Sequence, residues 1–325
     1  MTYSNKIAIT TGDPNGIGAE ITIKALNTLN LPKDKVVLIS NKKILDFYTD
    51  KLRHSELISE SHNQARLSDK YEIIEIPFNE DVQSGKVTAE CGEFSFISVK
   101  KACEIGARAI VTAPVAKNAL YLAGHKFNGQ TEILQKYLAH DKQLAEMLFV
   151  AGNFRVLLLT RHVALKDINL TKEMVVEKIS NLKDFFENKL EIKNPKFALC
   201  GFNPHSGEDG ILGREEIEIL NPAVEDLTQK GISITKPLPA DTLFVNAAKE
   251  YLSNSNNTPI YDCYIANYHD QGLIPIKTVA GDKTVNMTIG LDIIRTSPGH
   301  GTAFDIAGKN LADETGMIEA IKAVL

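Results

Sequence analysis

The 325-residue chain has no basic stripe and no run of Lys or Arg, and its net charge of −5 is mild and spread out. Nucleic acid is therefore not an expected partner. No apolar run approaches the ~20 residues that cross a bilayer, so no membrane association is expected either. Cysteine is scarce: Cys91, Cys103, Cys200 and Cys263 are scattered and form no C-x-x-C pair. That spacing argues against a disulfide framework or a cysteine zinc knot and suits reduced, mostly buried thiols in the cytoplasm. The opening residues MTYSNKIAITTGD lack a signal-peptide layout, because Lys6 is followed at once by a short strand and a loop. Internal repeats and low-complexity tails are also missing.

A hydrophobic content of 43% over 325 residues is enough for a large core, in two domains or one large α/β unit. Short β-branched runs at 6–10, 35–40, 71–76 and 108–113 are apolar on both faces, as strands covered by helices on either side must be. Helical spacing lies between them at 19–29 and 96–107. The alternation predicts a three-layer α/β/α architecture. At 146–160 two apolar runs hinge on Ala151-Gly152-Asn153, a hairpin signal. Residues 171–190 form an amphipathic helix with Val175, Ile179, Leu182, Phe186 and Leu190 on one face and Thr171 as its N-cap. Residues 196–202 are another covered strand, and 253–259 a surface loop. The expected division is a first domain at 1–130 rejoined by 280–325, with a second domain at 131–279.

The stretch YDCYIANYHDQGLIPIK (261–277) starts as a buried strand. Tyr268 through Gly272 interrupt its apolar run, which resumes at Leu273 to Ile276. His269 therefore stands just past a strand end, and so do His162, after RVLLLTR, and His205, after FALCGFNP. In open α/β sheets ligands bind outside the carboxyl ends of strands. Three imidazoles delivered there could converge on one divalent metal and leave coordination positions open, as catalytic sites do. Alternatively, each is a lone histidine bonded to a backbone carbonyl. Asp270 or Gln271 would orient His269 or an adjacent group. Asp241 reads as a supporting carboxylate, a proton acceptor or a helix cap. His54, His62, His125 and His140 read as surface residues.

TTGDPNGIGAE (10–20) follows the first strand and opens the first helix. Gly12, Gly16 and Gly18 permit positive φ and close backbone approach, and the helix start offers N–H groups to an anion. The pattern is not G-x-G-x-x-G, and a tight turn explains it equally well. Lys277, Asn286 and Arg295 lie at or within successive apolar runs, where unpaired polar groups are costly. Lys and Arg at strand ends suit phosphate or carboxylate, with structural salt bridges as the alternative.

With these segments in place, the sequence resembles a known family. TGDPNGIGAE and HGTAFDIAGKNLAD (300–313) are similar to loops of the isocitrate and isopropylmalate dehydrogenases. Those enzymes hold their metal with aspartates, whereas this chain offers histidines. The ordered set GDPNGIG, TAPVAK, GQTEIL, TRHVAL, GFNPHSGE, PADTLF, YHDQGL, VNMTIGL and IRTSPGHGTAFDIAG resembles the 4-hydroxythreonine-4-phosphate dehydrogenase family of vitamin B6 biosynthesis nearly end to end. The resemblance implies an isocitrate dehydrogenase-like fold of two domains with a cleft. It implies His162, His205 and His269 as metal ligands, and Thr131, Lys277, Asn286 and Arg295 as substrate-binding residues. It also implies a homodimer that completes the site across its interface.

One position departs from the pattern. The family has histidine before Thr-Glu, and here the residue is Gln130, which cannot become a cation or pass a proton at neutral pH. Gln130 would still hold substrate, or it would mark a related one.

The implied reaction is oxidation of 4-phosphooxy-L-threonine at C3 with NAD or NADP, followed by loss of carbon dioxide. A divalent metal would lower the pKa of the C3 alcohol. Imidazole ligands favour zinc, with magnesium and cobalt as alternatives. Asp241, Lys117 or metal-bound water would take the proton. The loop with Gly12, Gly16 and Gly18, together with His300 and Gly301, would face the cofactor. The rival readings are a dehydrogenase of a related phosphorylated four-carbon hydroxy acid, a metal-independent acyl or phosphate transferase on a related scaffold, and a non-catalytic metabolite sensor.

Overall fold

The computed structural model of the chain describes residues 3–53, 66–140, 143–253 and 258–325. His54, His62 and the middle of the 253–259 loop lie outside the described residues. In chain order the strands are β1 (Ile7–Thr10), β2 (Val36–Ser40), β3 (Glu72–Glu75), β4 (Ala109–Thr112), β5 (Glu146–Ala151), β6 (Phe154–Leu158), β7 (Lys196–Leu199), β8 (Ser233–Ile234), β9 (Cys263–Ala266), β10 (Val285–Ile289) and β11 (Ile294–Pro298). The chain divides into two compact units, Met1–Ala145 with Val285–Leu325, and Glu146–Thr284. The α/β class expected from the alternation is the one adopted.

In the first unit the strand order is β3-β2-β1-β4-β11-β10. Neighbours are parallel except β10, which runs antiparallel to β11. β1, β2 and β4 are largely β-branched or small and fully buried, which requires cover on both faces. β3 corrects the sequence reading. It is the edge strand, its residues are half-buried or exposed, and Glu72 pairs with Lys6 at 2.8 Å.

The helix expected at 96–107 starts earlier and spans Ala89–Glu104. Thr88 sets its start, its hydroxyl accepting from the Cys91 N–H at 3.1 Å and so satisfying one otherwise unpaired first-turn donor. The helix Gln130–Leu138 buries Ile133 and Leu134 in this unit's core. The sequence reading had placed the start of the second domain there; the burial of those two side chains ties the helix to the first unit instead.

In the second unit the order is β5-β6-β9-β7-β8. β5 and β6 are the expected hairpin, with Ala151 opposite Phe154 and Gly152 turning at φ 56°. The remaining pairs are parallel. The helix Lys172–Asn188 buries Val175, Ile179, Leu182 and Phe186, and Thr171 caps it by accepting from the Met174 N–H at 3.2 Å.

After β9 the apolar run does not resume as a strand. Residues His269–Ala280 form a helix that includes Pro275. Gly272 lets this helix sit close on the sheet: a Cβ there would lie 2.7 Å from Leu158 and 2.9 Å from Ala266. Among the described residues, no helix is long and apolar enough to cross a membrane.

Candidate active site

In the second unit β6, β9 and β7 lie side by side and parallel, so their carboxyl ends share one edge of the sheet. The chain leaving each strand leads to His162, His269 and His205 respectively. One buried residue joins the three exits. The Asn267 carbonyl accepts from the Thr160 N–H at 3.1 Å and from its hydroxyl at 2.7 Å, and Asn267 Nδ2 donates to the Cys200 carbonyl at 2.8 Å. Gln271 reinforces the join. Its Oε1 accepts from the Asn267 N–H at 2.7 Å, while its Nε2 donates to the Gly201 carbonyl at 2.7 Å. The sequence reading missed Asn267 and offered Gln271 as orienting His269 or an adjacent group. An asparagine closing a covered apolar run was the available signal.

His162 and His269 come together, their ring centroids 5.6 Å apart. His269 is the first residue of its helix, and its Nδ1 lies 2.7 Å from Asp270 Oδ1. An ionised carboxylate only accepts, so the hydrogen sits on Nδ1 and the Nε2 lone pair is left for a ligand.

His205 opens a run of left-handed backbone, with φ of 52°, 53°, 81°, 42° and 55° from His205 to Asp209. Each non-glycine residue in that conformation costs about 1–2 kcal/mol. Glu216 and Asn203 secure this segment: Glu216 Oε1 accepts from the Asn203 N–H at 2.7 Å and Oε2 from Asn203 Nδ2 at 2.9 Å.

Among the described residues no three His, Cys, Asp or Glu side chains gather closely enough to hold a metal ion. His162 and His269 form a pair, and His205 stands on its own strained turn. The chemistry of that pair, with one ring oriented by a carboxylate, fits a divalent cation that accepts imidazole nitrogen.

Two further expected positions differ from the sequence reading. Lys277 lies in the last turn of the helix His269–Ala280, not at a strand end. Asp241 is exposed in the first turn of the helix Ala240–Leu252; Pro239 holds the cap position, so Asp241 does not act as the cap.

In the first unit Arg295 is the second residue of β11 and is 3% exposed, so it does not stand at a strand end. Its Nε and Nη2 donate to Thr112 Oγ1 at 2.9 and 2.6 Å, and its Nη1 to Thr288 Oγ1 at 3.4 Å. These partners are hydroxyls, and burial lowers the guanidinium pKa to about 10. Asn286 lies on β10 opposite Ser297, and its Oδ1 is buried without a donor. Gln130 starts the helix Gln130–Leu138 and donates through Nε2 to the Ala113 carbonyl at 3.1 Å; its Oε1 is buried without a donor. Thr131 follows it, half-buried, while Lys117 is exposed at the start of the helix Lys117–Leu122.

The glycine loop serves the chain's own packing. A Cβ on Gly12, which has φ 71°, would lie 2.2 Å from the Pro114 carbonyl oxygen. One on Gly18 would lie 2.2 Å from the Thr11 oxygen, and one on Gly16 3.1 Å from Thr302. Only Gly12 of the three has positive φ. His300 Nε2 is buried without a partner, and nothing lies within 4 Å of a Cβ built on Gly301.

Two residues escaped the sequence reading. Asp13 is fully buried, accepts from the Asn15 N–H at 2.9 Å and has its other oxygen unpartnered. Burial raises its carboxyl pKa to about 6. His125, read as a surface residue, stacks on Phe96 at a centroid distance of 3.7 Å and lies 2.7 Å from Glu93 Oε2.

Residues 32–324 match the family model described as pyridoxal phosphate biosynthetic protein PdxA. The 4-hydroxythreonine-4-phosphate dehydrogenase of a Sulfurihydrogenibium species is 39% identical, over 98% of this chain and 97% of its own length. The D-threonate 4-phosphate dehydrogenase of Salmonella typhimurium is 37% identical over 98% of both chains. Among solved structures, the 4-hydroxythreonine-4-phosphate dehydrogenase of Klebsiella pneumoniae superposes with a TM-score of 0.81 at 32% identity, covering 99% of this chain and 98% of that one. A sheet that carries the expected motifs at its strand ends, matched from end to end by these dehydrogenases, makes the chain a member of the PdxA family and an oxidoreductase.

Proposed function

We propose that the chain oxidises the C3 hydroxyl of 4-phosphooxy-L-threonine with a nicotinamide cofactor, NAD in preference to NADP. The product is 2-amino-3-oxo-4-phosphooxybutanoate, which loses carbon dioxide to give 3-amino-2-oxopropyl phosphate. The observation that carries this reading is the placement of His162, His269 and His205 past three adjacent parallel strands in a chain related over its full length to dehydrogenases of that name.

His162 and His269, with His205, would hold one divalent cation, zinc being favoured by imidazole donors. Such a cation supplies acidity to a bound alcohol, and the nicotinamide supplies a hydride acceptor. The chain's own residues do the rest. Asp270 keeps the hydrogen of His269 on Nδ1. Arg295, buried and bonded to threonine hydroxyls, is a preorganised cation for phosphate or carboxylate, and Lys277 supplies another. Gln130, Thr131 and Asn286 offer polar groups that fix the substrate's orientation. The alcohol proton goes to Asp241 or Lys117, both exposed titratable groups. As hydride leaves C3 a ketone forms. Cleavage of the bond to the carboxylate then releases carbon dioxide, and its electron pair forms an enolate that takes up a proton.

His300 and Gly301 would border the cofactor, and Gly12, Gly16 and Gly18 would shape the floor beneath it. We also propose a homodimer that shares the site. Ile211 and Leu212, 80% and 43% exposed, follow the strained turn that carries His205 and suit burial against a second copy. Four free cysteines suit a cytoplasmic setting.

A second reading has its own support. The D-threonate 4-phosphate dehydrogenase of Salmonella typhimurium is nearly as similar, at 37% identity over the same share of the chain. Mixing the purified protein with NAD and each substrate, and following ultraviolet absorbance of the reduced nicotinamide, tests both. Faster reduction with 4-phosphooxy-L-threonine is expected. Reduction with D-threonate 4-phosphate alone transfers the assignment, and reduction with neither refutes it.

A further inference from the structure

We propose that Gln130 determines specificity by accepting a hydrogen bond from the substituent on the carbon next to the substrate's carboxylate, and thereby favours a protonated amine there over a hydroxyl. The inference rests on the substrate class proposed above and narrows it.

The geometry of one amide carries the argument. Gln130 Nε2 lies 3.1 Å from the Ala113 carbonyl oxygen. A carbonyl oxygen can only accept, so the amide nitrogen must face it and the amide oxygen must point away. That oxygen is buried and has no donor. Turning the amide over would set oxygen against oxygen, so what Gln130 presents is a fixed acceptor.

Its position is also informative. Ala113 directly follows β4, and its N–H bonds to the Thr10 carbonyl at the end of β1 at 3.0 Å. β1 and β4 are neighbours from which the strand order departs in opposite directions, β2 on one side and β11 on the other. Ligands of open α/β sheets bind beyond the strand ends at such a point. On the same sheet Thr112 receives the buried Arg295, and on β10 Asn286 Oδ1 is a second buried acceptor without a donor.

A phosphate or a carboxylate brings only acceptors and satisfies neither amide oxygen. On a 4-phosphooxy-3-hydroxy acid the donors are the C3 hydroxyl, which loses its hydrogen in the reaction, and the substituent at C2. An ammonium offers three charged N–H donors there, whereas a hydroxyl offers one neutral donor. Charge-assisted bonds to an amide oxygen are the stronger kind. The histidine expected at this position by resemblance can carry a charge; glutamine cannot, so it does not repel an ammonium.

The test is a cycle between protein and substrate. Wild type and Gln130→Met, which keeps the length and loses the acceptor, are assayed for kcat/KM on three 4-phosphooxy-3-hydroxybutanoates that carry an amine, a hydroxyl or a hydrogen at C2. In the wild type each step down that series is expected to lower kcat/KM by about tenfold, the scale of one buried hydrogen bond. In Gln130→Met, shown folded by circular dichroism, the series should flatten. Unchanged ratios in the variant would overturn the inference. So would a wild type that turns over all three equally, whether or not the variant folds. Such a flat series leaves the dehydrogenase reading standing, whereas a wild type that oxidises none of them removes both.

Discussion

Glu216 grips Asn203 at two points, its Oε1 taking the backbone N–H at 2.7 Å and its Oε2 the side-chain Nδ2 at 2.9 Å. Glu216 is 3% exposed, and the segment it anchors carries His205 through five consecutive left-handed residues. A backbone that disfavours its own conformation persists only where its surroundings over-determine it. Glu216→Ala should therefore cost about 2–3 kcal/mol in urea unfolding, since it removes two hydrogen bonds to a charged group. It should also speed amide exchange around 203–209. Unchanged exchange there would show that the turn holds itself.

Asp270 orients His269 from 2.7 Å. Removing such a partner from a liganding imidazole typically weakens metal binding by about 10–100-fold. Asp270→Asn should lower zinc affinity on that scale in competition with a chelator, and His269→Ala should abolish binding. Exhaustive chelation of the wild type should abolish turnover, and added zinc should restore it. Full turnover by metal-free protein would disprove the role of the imidazoles.

Arg295 is a buried cation held by hydroxyl groups. Replacing such a charge with an apolar side chain of similar length need not destabilise the fold. Arg295→Met is expected to keep its melting temperature within a few degrees while KM for the phosphorylated substrate rises at least about tenfold, the loss of one charge-assisted contact. The check is thermal unfolding with and without substrate. Equal stabilisation of both proteins by substrate would remove Arg295 from the binding site.

Asp13 imposes a pH dependence of unusual sign. Burial raises its carboxyl from the ordinary 3.8 to about 6 in the folded protein, so the folded state binds the proton more tightly than the unfolded state does. Its effect on stability is least adverse below the ordinary value. It worsens as pH rises through about 6, and above that it amounts to about 3 kcal/mol. Asp13→Asn keeps an acceptor for the Asn15 N–H. It should stabilise the protein near pH 7 and leave it unchanged near pH 4. A difference in urea midpoint that stays constant from pH 4 to pH 8 would contradict the assignment.

The sequence by itself determined the alternation of covered strands and helices, the hairpin at Gly152 and the histidines beyond three strand ends. Each is written locally, in β-branched runs, turn residues and hydrophobic spacing, and the ordered motifs carried the family. Other features depended on which strands became neighbours. Local pattern did not show β3 as an edge strand, nor that 269–280 is a helix, because an apolar run of that length suits either state until the sheet beneath it exists.

Nor could it show that Asn267 ties three strand exits, that Gly12 and Gly18 make room for the chain's own backbone, or that Arg295 meets Thr112 rather than an acid. Those relationships join residues far apart in the chain. Burial and hydrogen-bond partners arise only when such residues meet, so the tertiary structure alone decided them.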